Sequence, residues 1–290
     1  MPDPDMLTVS ATQMPALFNV SPYATRWMMF KHFAEGAPLE TDENERMKWG
    51  KLMQPLIIAE AAEQLKMQVI PNDGDVYHRR GLLGCTRDAM VICPDRGPGA
   101  METKCVFDYR TWMQEWNGGR QPPKPHEIQL QQQMLVGDDE PYEWGIIVAW
   151  VAGDLYFFER APIDELWPKL NTAAAEFFDD LKHQHEPDPF GMPIELPWLT
   201  KMFPVIKGKT VEGNAEIAKT AVQYRDARER QATAEKLAEP LRAQLLAYAK
   251  DAETIELPMG AQVTIRKHGK GKVIKVFTPE TASGDLLYAG

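Results

Sequence analysis

Long apolar runs are missing from this sequence: no stretch of its 290 residues approaches the roughly 20 apolar positions a helix needs to cross a bilayer. The opening Met1-Pro2-Asp3-Pro4-Asp5 has neither the basic nor the apolar segment of a secretory signal. A cytoplasmic protein with no membrane partner is therefore expected. Cysteine is scarce as well. Cys85, Cys93 and Cys105 are odd in number and show no Cys-x-x-Cys spacing, so neither a disulfide framework nor a zinc or iron–sulfur site is indicated, and they read as core thiols. Positive charge is also short, with 32 Lys and Arg against 42 Asp and Glu, a net charge of -10. That balance argues against broad, nonspecific coating of nucleic acid, because such affinity comes mostly from neutralising phosphates. It leaves room for a DNA enzyme with a locally basic groove on an acidic exterior.

What the chain does have is a carboxylate followed by Glu-x-Lys on an apolar run. Gly84-Cys85-Thr86-Arg87-Asp88 precedes Met101-Glu102-Thr103-Lys104-Cys105-Val106 by thirteen residues. Residues 100–107 are short, apolar-rich and entered from the turn Asp95-Arg96-Gly97-Pro98-Gly99, which reads as a buried strand. Side chains alternate faces along a strand, so Glu102 and Lys104 share one face, and Met101, Thr103, Cys105 and Phe107 form the opposite, packing face. Phosphodiester hydrolysis needs charge neutralisation at phosphate and a water made nucleophilic near neutral pH, and magnesium supplies both. Asp88, Glu102 and the Thr103 carbonyl offer the hard oxygen ligands that magnesium takes. Lys104, desolvated and beside the ion, would favour its neutral form and orient or deprotonate water. A structural Glu-Lys pair on an edge strand is the competing account of the tripeptide alone.

The rest of the chain reads as an α/β core with an accessory C-terminal region. Residues 7–68 are helical in pattern, with Ser10 capping residues 11–18, a Ser21-Pro22-Tyr23 turn, and a long amphipathic stretch over 43–66 in which Pro55 implies a kink or a helix start. A small sheet over 69–107 carries Asp88 and Glu102. Helices over 109–115 and 126–136 follow, and residues 145–151 and 154–160 form a hairpin turned by Gly153-Asp154. Asp180-Leu181-Lys182 repeats the Asp-x-Lys spacing on a helical stretch, where residues two apart do not face each other, and reads as a solvated face. The Pro-rich segment 186–208 marks a boundary. Domains at 1–208 and 209–290 are expected, the second holding a helical hairpin broken at Pro240 and a β-hairpin around His268-Gly269-Lys270-Gly271. Arg266, Lys267, Lys270, Lys272 and Lys275 make that hairpin the most basic stretch of the chain. Lysines that discourage edge aggregation and a phosphate or partner contact are both open readings of it. Gly208-Lys209-Thr210 lacks the upstream glycine of a phosphate-binding loop, and His183-x-His185 sits at a polar helix end.

The order of motifs resembles the phage lambda-type exonucleases, or YqaJ-like viral recombinase nucleases, of the PD-(D/E)xK superfamily. The resemblance covers roughly residues 7–180. It runs through Thr8-Val9-Ser10, Ser21-Pro22-Tyr23, the Trp49-Gly50 helix of residues 44–54, Asp88, Glu102-Thr103-Lys104-Cys105, and Gln129-Leu130-Gln131. It implies a restriction-endonuclease-like core, a mixed central sheet flanked by helices. It also implies Asp88, Glu102 and Thr103 as metal ligands, Lys104 as the catalytic lysine and Gln131 as a polar catalytic-site residue. Ser10 would contact the 5′-terminal phosphate, with Gln54 and Gln129 also on the DNA side. Two departures matter. Gln54 stands where the family has Glu, and residues 1–7 contain no basic residue before Ser10, leaving Arg26, Lys31 or Lys51 as substitutes.

The resemblance thus implies a magnesium-dependent exonuclease, with manganese as the alternative ion, that digests linear double-stranded DNA from 5′ to 3′. The product is a 3′ single strand for an annealing or recombinase protein, and the enzyme would be phage or prophage encoded. Family members form ring-shaped trimers, so a homotrimer is implied. An endonuclease or single-strand-specific nuclease on the same core, and a catalytically quiet DNA-binding scaffold, are the competing functions. Lys270, Lys272 and Lys275 are expected to be accessory basic contacts.

Overall fold

The computed structural model describes residues 7–39, 44–72, 76–268 and 271–277. The chain divides into two compact units between Val205 and Ile206.

The first unit opens with β1 (Val9–Ser10) and α1 (Met14–Leu17), followed by α2 (Arg26–Glu35) and α3 (Glu45–Leu65). Then come β2 (Gln68–Pro71), β3 (His78–Arg80), β4 (Leu83–Cys85), β5 (Ala89–Cys93) and β6 (Gly97–Val106). The helices α4 (Tyr109–Glu115) and α5 (Lys124–Val136) lead into the hairpin β7 (Gly145–Val151) and β8 (Asp154–Arg160). The unit closes with α6 (Leu166–His183) and α7 (Leu196–Met202).

Five strands form the central sheet in the order β2-β5-β6-β7-β8, and β1-β4-β3 form a smaller one. In the central sheet only β6 and β7 run parallel, so the sheet is mixed, as expected. Helices cover both faces. On one, Ile57, Ile58 and Ala61 of α3 pack against Val91, Met101, Ile146 and Val148. On the other, Leu130 and Met134 of α5 and Trp112 of α4 pack against Ala100, Val106, Ile147 and Ala149. Gly145 permits that approach, because a Cβ there would come within 3.0 Å of Leu130 and Met134. Beyond α5, a further core joins Val9, Met14, Met29, Leu83, Leu170 and Phe177 from α1, α2, α6, β1 and β4.

Several local expectations need correction. Ser10 ends a strand, and the helix starts later, at Met14; Ser10 still exchanges hydrogen bonds with Gln13 across the intervening turn. Pro55 does not start a helix: α3 runs through it, since its neighbours are strong helix formers and this part of the helix is solvent-exposed, so water can satisfy the orphaned carbonyl. The exposed Met47, Leu52 and Leu56 do not join the buried stripe, which is confined to the C-terminal half. The β7–β8 turn is Ala152-Gly153, both at positive φ (52° and 110°), rather than Gly153-Asp154. Asp180 is not merely solvated, because it accepts from Arg26 at 2.8 Å. The Pro-rich segment is tied down by Glu195, whose carboxylate accepts from Thr25 Oγ1 and from the N–H groups of Phe190, Gly191 and Met192.

The second unit holds α8 (Ala215–Ala249), β9 (Thr254–Glu256), β10 (Gln262–His268) and β11 (Gly271–Phe277), with the strands in antiparallel order β11-β10-β9. Its core is small: Ala249, Ile255, Val263 and Ile265, with Leu245 and Leu246 against them. The expected helical hairpin is a single helix of 35 residues that continues through Pro240. Ala, Glu, Leu and Arg on both sides of the proline favour helix strongly enough to carry it past one missing hydrogen bond. The expected β-hairpin is β10–β11. Gly269 and Lys270 at its tip lie outside the described residues. No described helix is long and apolar enough to cross a membrane.

Candidate active site

The site exists because β6 outruns β5. Their ladder ends at Ala89↔Met101, whereas β7 stays paired with β6 as far as Val106. Residues 102–106 therefore have a strand neighbour on one side only, and Asp88, the residue before β5, occupies the vacated side. Asp88 Oδ2 accepts from the Thr103 N–H at 2.7 Å and from Thr103 Oγ1 at 2.6 Å. The N–H and C=O of one strand residue point to the same side, so the Thr103 carbonyl is directed past the end of β5 as well. Asp88 Oδ1 accepts no hydrogen bond among the described residues.

Glu102 is 3% exposed, and three donors hold it. Its Oε1 accepts from Lys104 Nζ at 2.5 Å and Gln129 Nε2 at 2.7 Å, and its Oε2 accepts from Gln133 Nε2 at 2.6 Å. Lys104 Nζ also donates to Gln129 Oε1 at 3.1 Å. Burial first, and then the charge of Glu102, push the Asp88 carboxyl up to about 7, against the pull of Lys104 and the two Thr103 bonds. Burial acts to lower Lys104, but Glu102 and then Asp88 more than offset it and leave the amine raised. The expectation of a neutral-leaning lysine is thus corrected: two nearby carboxylates outweigh desolvation.

These residues suit a divalent cation. Two carboxylates are held close enough in a buried setting to raise one of them, Asp88 keeps an oxygen uncommitted, and a backbone carbonyl is directed to the same side. That set is hard oxygen only, the chemistry magnesium and manganese take. No cluster of three or more His, Cys, Asp or Glu side chains is arranged as a cation cage among the described residues, so such an ion would rely on the carbonyl and on water.

Asp88, Glu102, Thr103 and Lys104 line one cleft of about 590 Å³ together with Arg46, Lys51 and Gln54 of α3 and His126 and Gln129 of α5. Gln54 and Gln129 thus share the cleft with the carboxylates. Gln131 does not. It is fully buried and bonded to Ala161 O at 2.9 Å, the Ile163 N–H at 2.9 Å and Trp167 Nε1 at 3.1 Å, because residues two apart on a helix diverge by about 200°. Ser10 is also outside the cleft lining, although Thr12, within 3.3 Å of Ser10 Oγ, is part of it. Of the cations considered for phosphate, Lys51 lines the cleft and Arg26 and Lys31 do not; Arg26 is paired with Asp180, and Lys31 with Glu35 and Glu186. Lys272 and Lys275 lie on β11 of the second unit, and Lys270 is outside the described residues.

Sequence reasoning passed over Gln133, Arg87 and His126. Gln133 was detectable, as it lies one turn after Gln129 and so on the same helix face. Arg87 was not, because alternation only sends it away from Asp88. It is buried, donates to Gly137 O at 2.8 Å and Asp138 Oδ1 at 2.5 Å, and lies over the Tyr142 ring at 5.0 Å, fastening the Asp88 loop to the end of α5.

Residues 6–140 match the YqaJ-like viral recombinase domain, a span that contains Asp88, Glu102, Lys104, Gln129 and Gln133. No curated protein sequence matches the chain. Among solved structures, an alkaline exonuclease from Laribacter hongkongensis is similar at 16% identity, covering 67% of this chain and 93% of that one, with a TM-score of 0.48. Its complex with dAMP gives 16% identity, 67% and 92% coverage and a TM-score of 0.47. A phage-related exonuclease from Haemophilus somnus gives 13% identity, 62% and 96% coverage and a TM-score of 0.46.

Proposed function

We propose that this chain, with its YqaJ-like viral recombinase domain, is a divalent-metal-dependent nuclease that digests linear double-stranded DNA from 5′ to 3′. It leaves a 3′ single strand for an annealing or recombinase protein in the bacterial cytoplasm. The observation that carries the reading is the convergence of Asp88, Glu102, the Thr103 carbonyl and Lys104 at the open side of β6 in one cleft.

Asp88, Glu102 and Thr103 would hold magnesium, or manganese in its place. When bound, the ion neutralises phosphate charge and makes a coordinated water more acidic. The chain's own residues do the positioning. Gln129 and Gln133 fix both oxygens of Glu102, and Thr103 fixes one oxygen of Asp88, leaving the other toward the cleft. Lys104 bridges Glu102 and Gln129, and its amine would orient the attacking water. Arg46 and Lys51 give the α3 wall its positive charge, as an anionic strand requires. Residues 1–208 would carry the chemistry and residues 209–290 would be an accessory unit, with assembly as a homotrimer checked by light-scattering mass.

One digestion series tests the function: linear duplexes with 5′-phosphate or 5′-hydroxyl ends and a closed circle, each with and without magnesium, for the wild type and Lys104→Ala. Linear DNA should be degraded only with metal, the circle should survive, and the variant should be folded, able to bind DNA and inactive. A cut circle replaces the exonuclease by an endonuclease. Failure of the wild type on every substrate with either ion rejects the nuclease.

A further inference from the structure

His126 stands in the first turn of α5, and its imidazole forms part of the cleft wall beside Gln129. The ring is held by a tilted stack on Trp116, with centroids 5.5 Å apart. Trp116 is 1% exposed and leans in turn on Trp112 and Phe158, each at 5.6 Å, so the platform under the histidine is itself fixed. None of the hydrogen bonds among the described residues uses either ring nitrogen, while the backbone N–H donates to Pro123 O. Burial, and then the Lys104 charge, depress the imidazole to about 3, so it is neutral at any working pH and carries one N–H donor and one acceptor. Lys104 directs its amine inward, to Glu102 and Gln129. The wall thus presents a rigid, uncharged donor with no protein partner, on a half-buried ring whose desolvation a ligand atom would offset.

We propose that His126 donates its imidazole N–H to a non-bridging oxygen of the phosphodiester in the cleft and is a catalytic residue of the nuclease. The inference rests on the nuclease reading. As water adds to phosphorus, those oxygens gain negative charge, and a donor fixed in advance by an aromatic stack stabilises them without reorganising. Neutrality suits the task, since an imidazolium beside Lys104 would be repelled and would draw on the same carboxylates that are needed for the ion. The structural alternative is a histidine that only fills the space over Trp116. Phenylalanine preserves that filling and removes the N–H, so the two accounts separate.

The test compares single-turnover cleavage of a linear duplex by the full-length wild type, His126→Phe and His126→Gln. His126→Phe is expected to lose about a hundredfold in rate, as for loss of one preorganised donor, with DNA affinity and the magnesium midpoint unchanged. His126→Gln, which retains an N–H donor, should recover part of that loss. His126→Phe cleaving at the wild-type rate overturns the proposal while leaving the nuclease intact, whereas a wild type that cleaves nothing overturns the nuclease itself. A second measurement does not depend on how the variants fold. In wild-type protein labelled with ¹⁵N-histidine, the His126 ring resonances should shift when a phosphorothioate duplex saturates the protein in calcium, and no shift at saturation also overturns the proposal.

Discussion

Gln133 Nε2 donates to Glu102 Oε2 at 2.6 Å, one turn after Gln129 Nε2 donates to Oε1 of the same carboxylate at 2.7 Å. A helix face with period i, i+4 thereby grips a strand carboxylate that has almost no access to solvent. Gln133→Leu leaves one carboxylate oxygen buried and unbonded, which costs about 1–3 kcal/mol. Urea denaturation should show that loss, and cleavage should fall because Glu102 no longer holds one orientation. Wild-type stability together with a wild-type magnesium midpoint would mean that Gln133 does not position Glu102.

The strand half of this site was legible in the sequence and the helix half only partly. Alternation along a strand is a local rule, so Glu102 and Lys104 could be placed on one face from their spacing alone. The same kind of rule, applied to α5, separates Gln129 from Gln131 and joins it to Gln133, yet the Gln-x-Gln motif drew attention to the wrong partner. Asp88 could be named but not located, since its place depends on where β5 stops pairing with β6, a tertiary fact. The Arg87 clamp depends on Gly137 and Asp138, fifty or more residues away, which no local pattern records. Pro55 reads as a kink or a helix start and Pro240 as the opening of a second helix because proline removes a hydrogen bond, yet both helices continue because their flanking residues outweigh that loss.

Gln54 lines the cleft on α3 without charge. Gln54→Glu adds a carboxylate to a site whose existing pair already raises Asp88, so the apo protein should become less stable near neutral pH while its affinity for magnesium rises. Thermal melts with and without magnesium report both effects. If the metal-induced rise in melting temperature equals that of the wild type, residue 54 has no part in binding the ion.

Stability should depend on pH through His126. Its folded value, about 3, lies below the ordinary histidine value of 6.5, so the unfolded chain takes up the proton first. The contribution is complete above about pH 6.5 and is lost as pH falls toward 3, at no more than about 1.4 kcal/mol per unit. Asp88, raised from 3.8 to about 7, tilts the profile the other way, its contribution fading as pH rises through that window. The difference between wild type and His126→Phe isolates the histidine. The gap between their unfolding free energies should be constant from about pH 7 to 8 and should change toward pH 4, where the wild type loses stability and the variant does not. Parallel profiles would place the imidazole in water.

The β10–β11 hairpin concentrates cations in a chain that is otherwise acidic. Lys272 is paired directly opposite Lys267, and Lys275 opposite Thr264, while Arg266 lies 3.9 Å from Glu253. Two lysines facing each other across a ladder repel, an arrangement that an anion between them would reverse. If the hairpin meets DNA phosphates, Lys272→Ala with Lys275→Ala should weaken duplex binding and reduce the slope of log affinity against log salt by up to about 2, since each phosphate contact contributes about 0.9. Including Lys270→Ala should extend the effect in the same direction. Single-turnover cleavage at saturating enzyme should survive, because none of the carboxylates or the lysine of the cleft is altered. An unchanged salt slope would leave the lysines as guards against edge pairing. A truncation after Lys207 that folds yet loses all single-turnover cleavage would show instead that the second unit completes the active site.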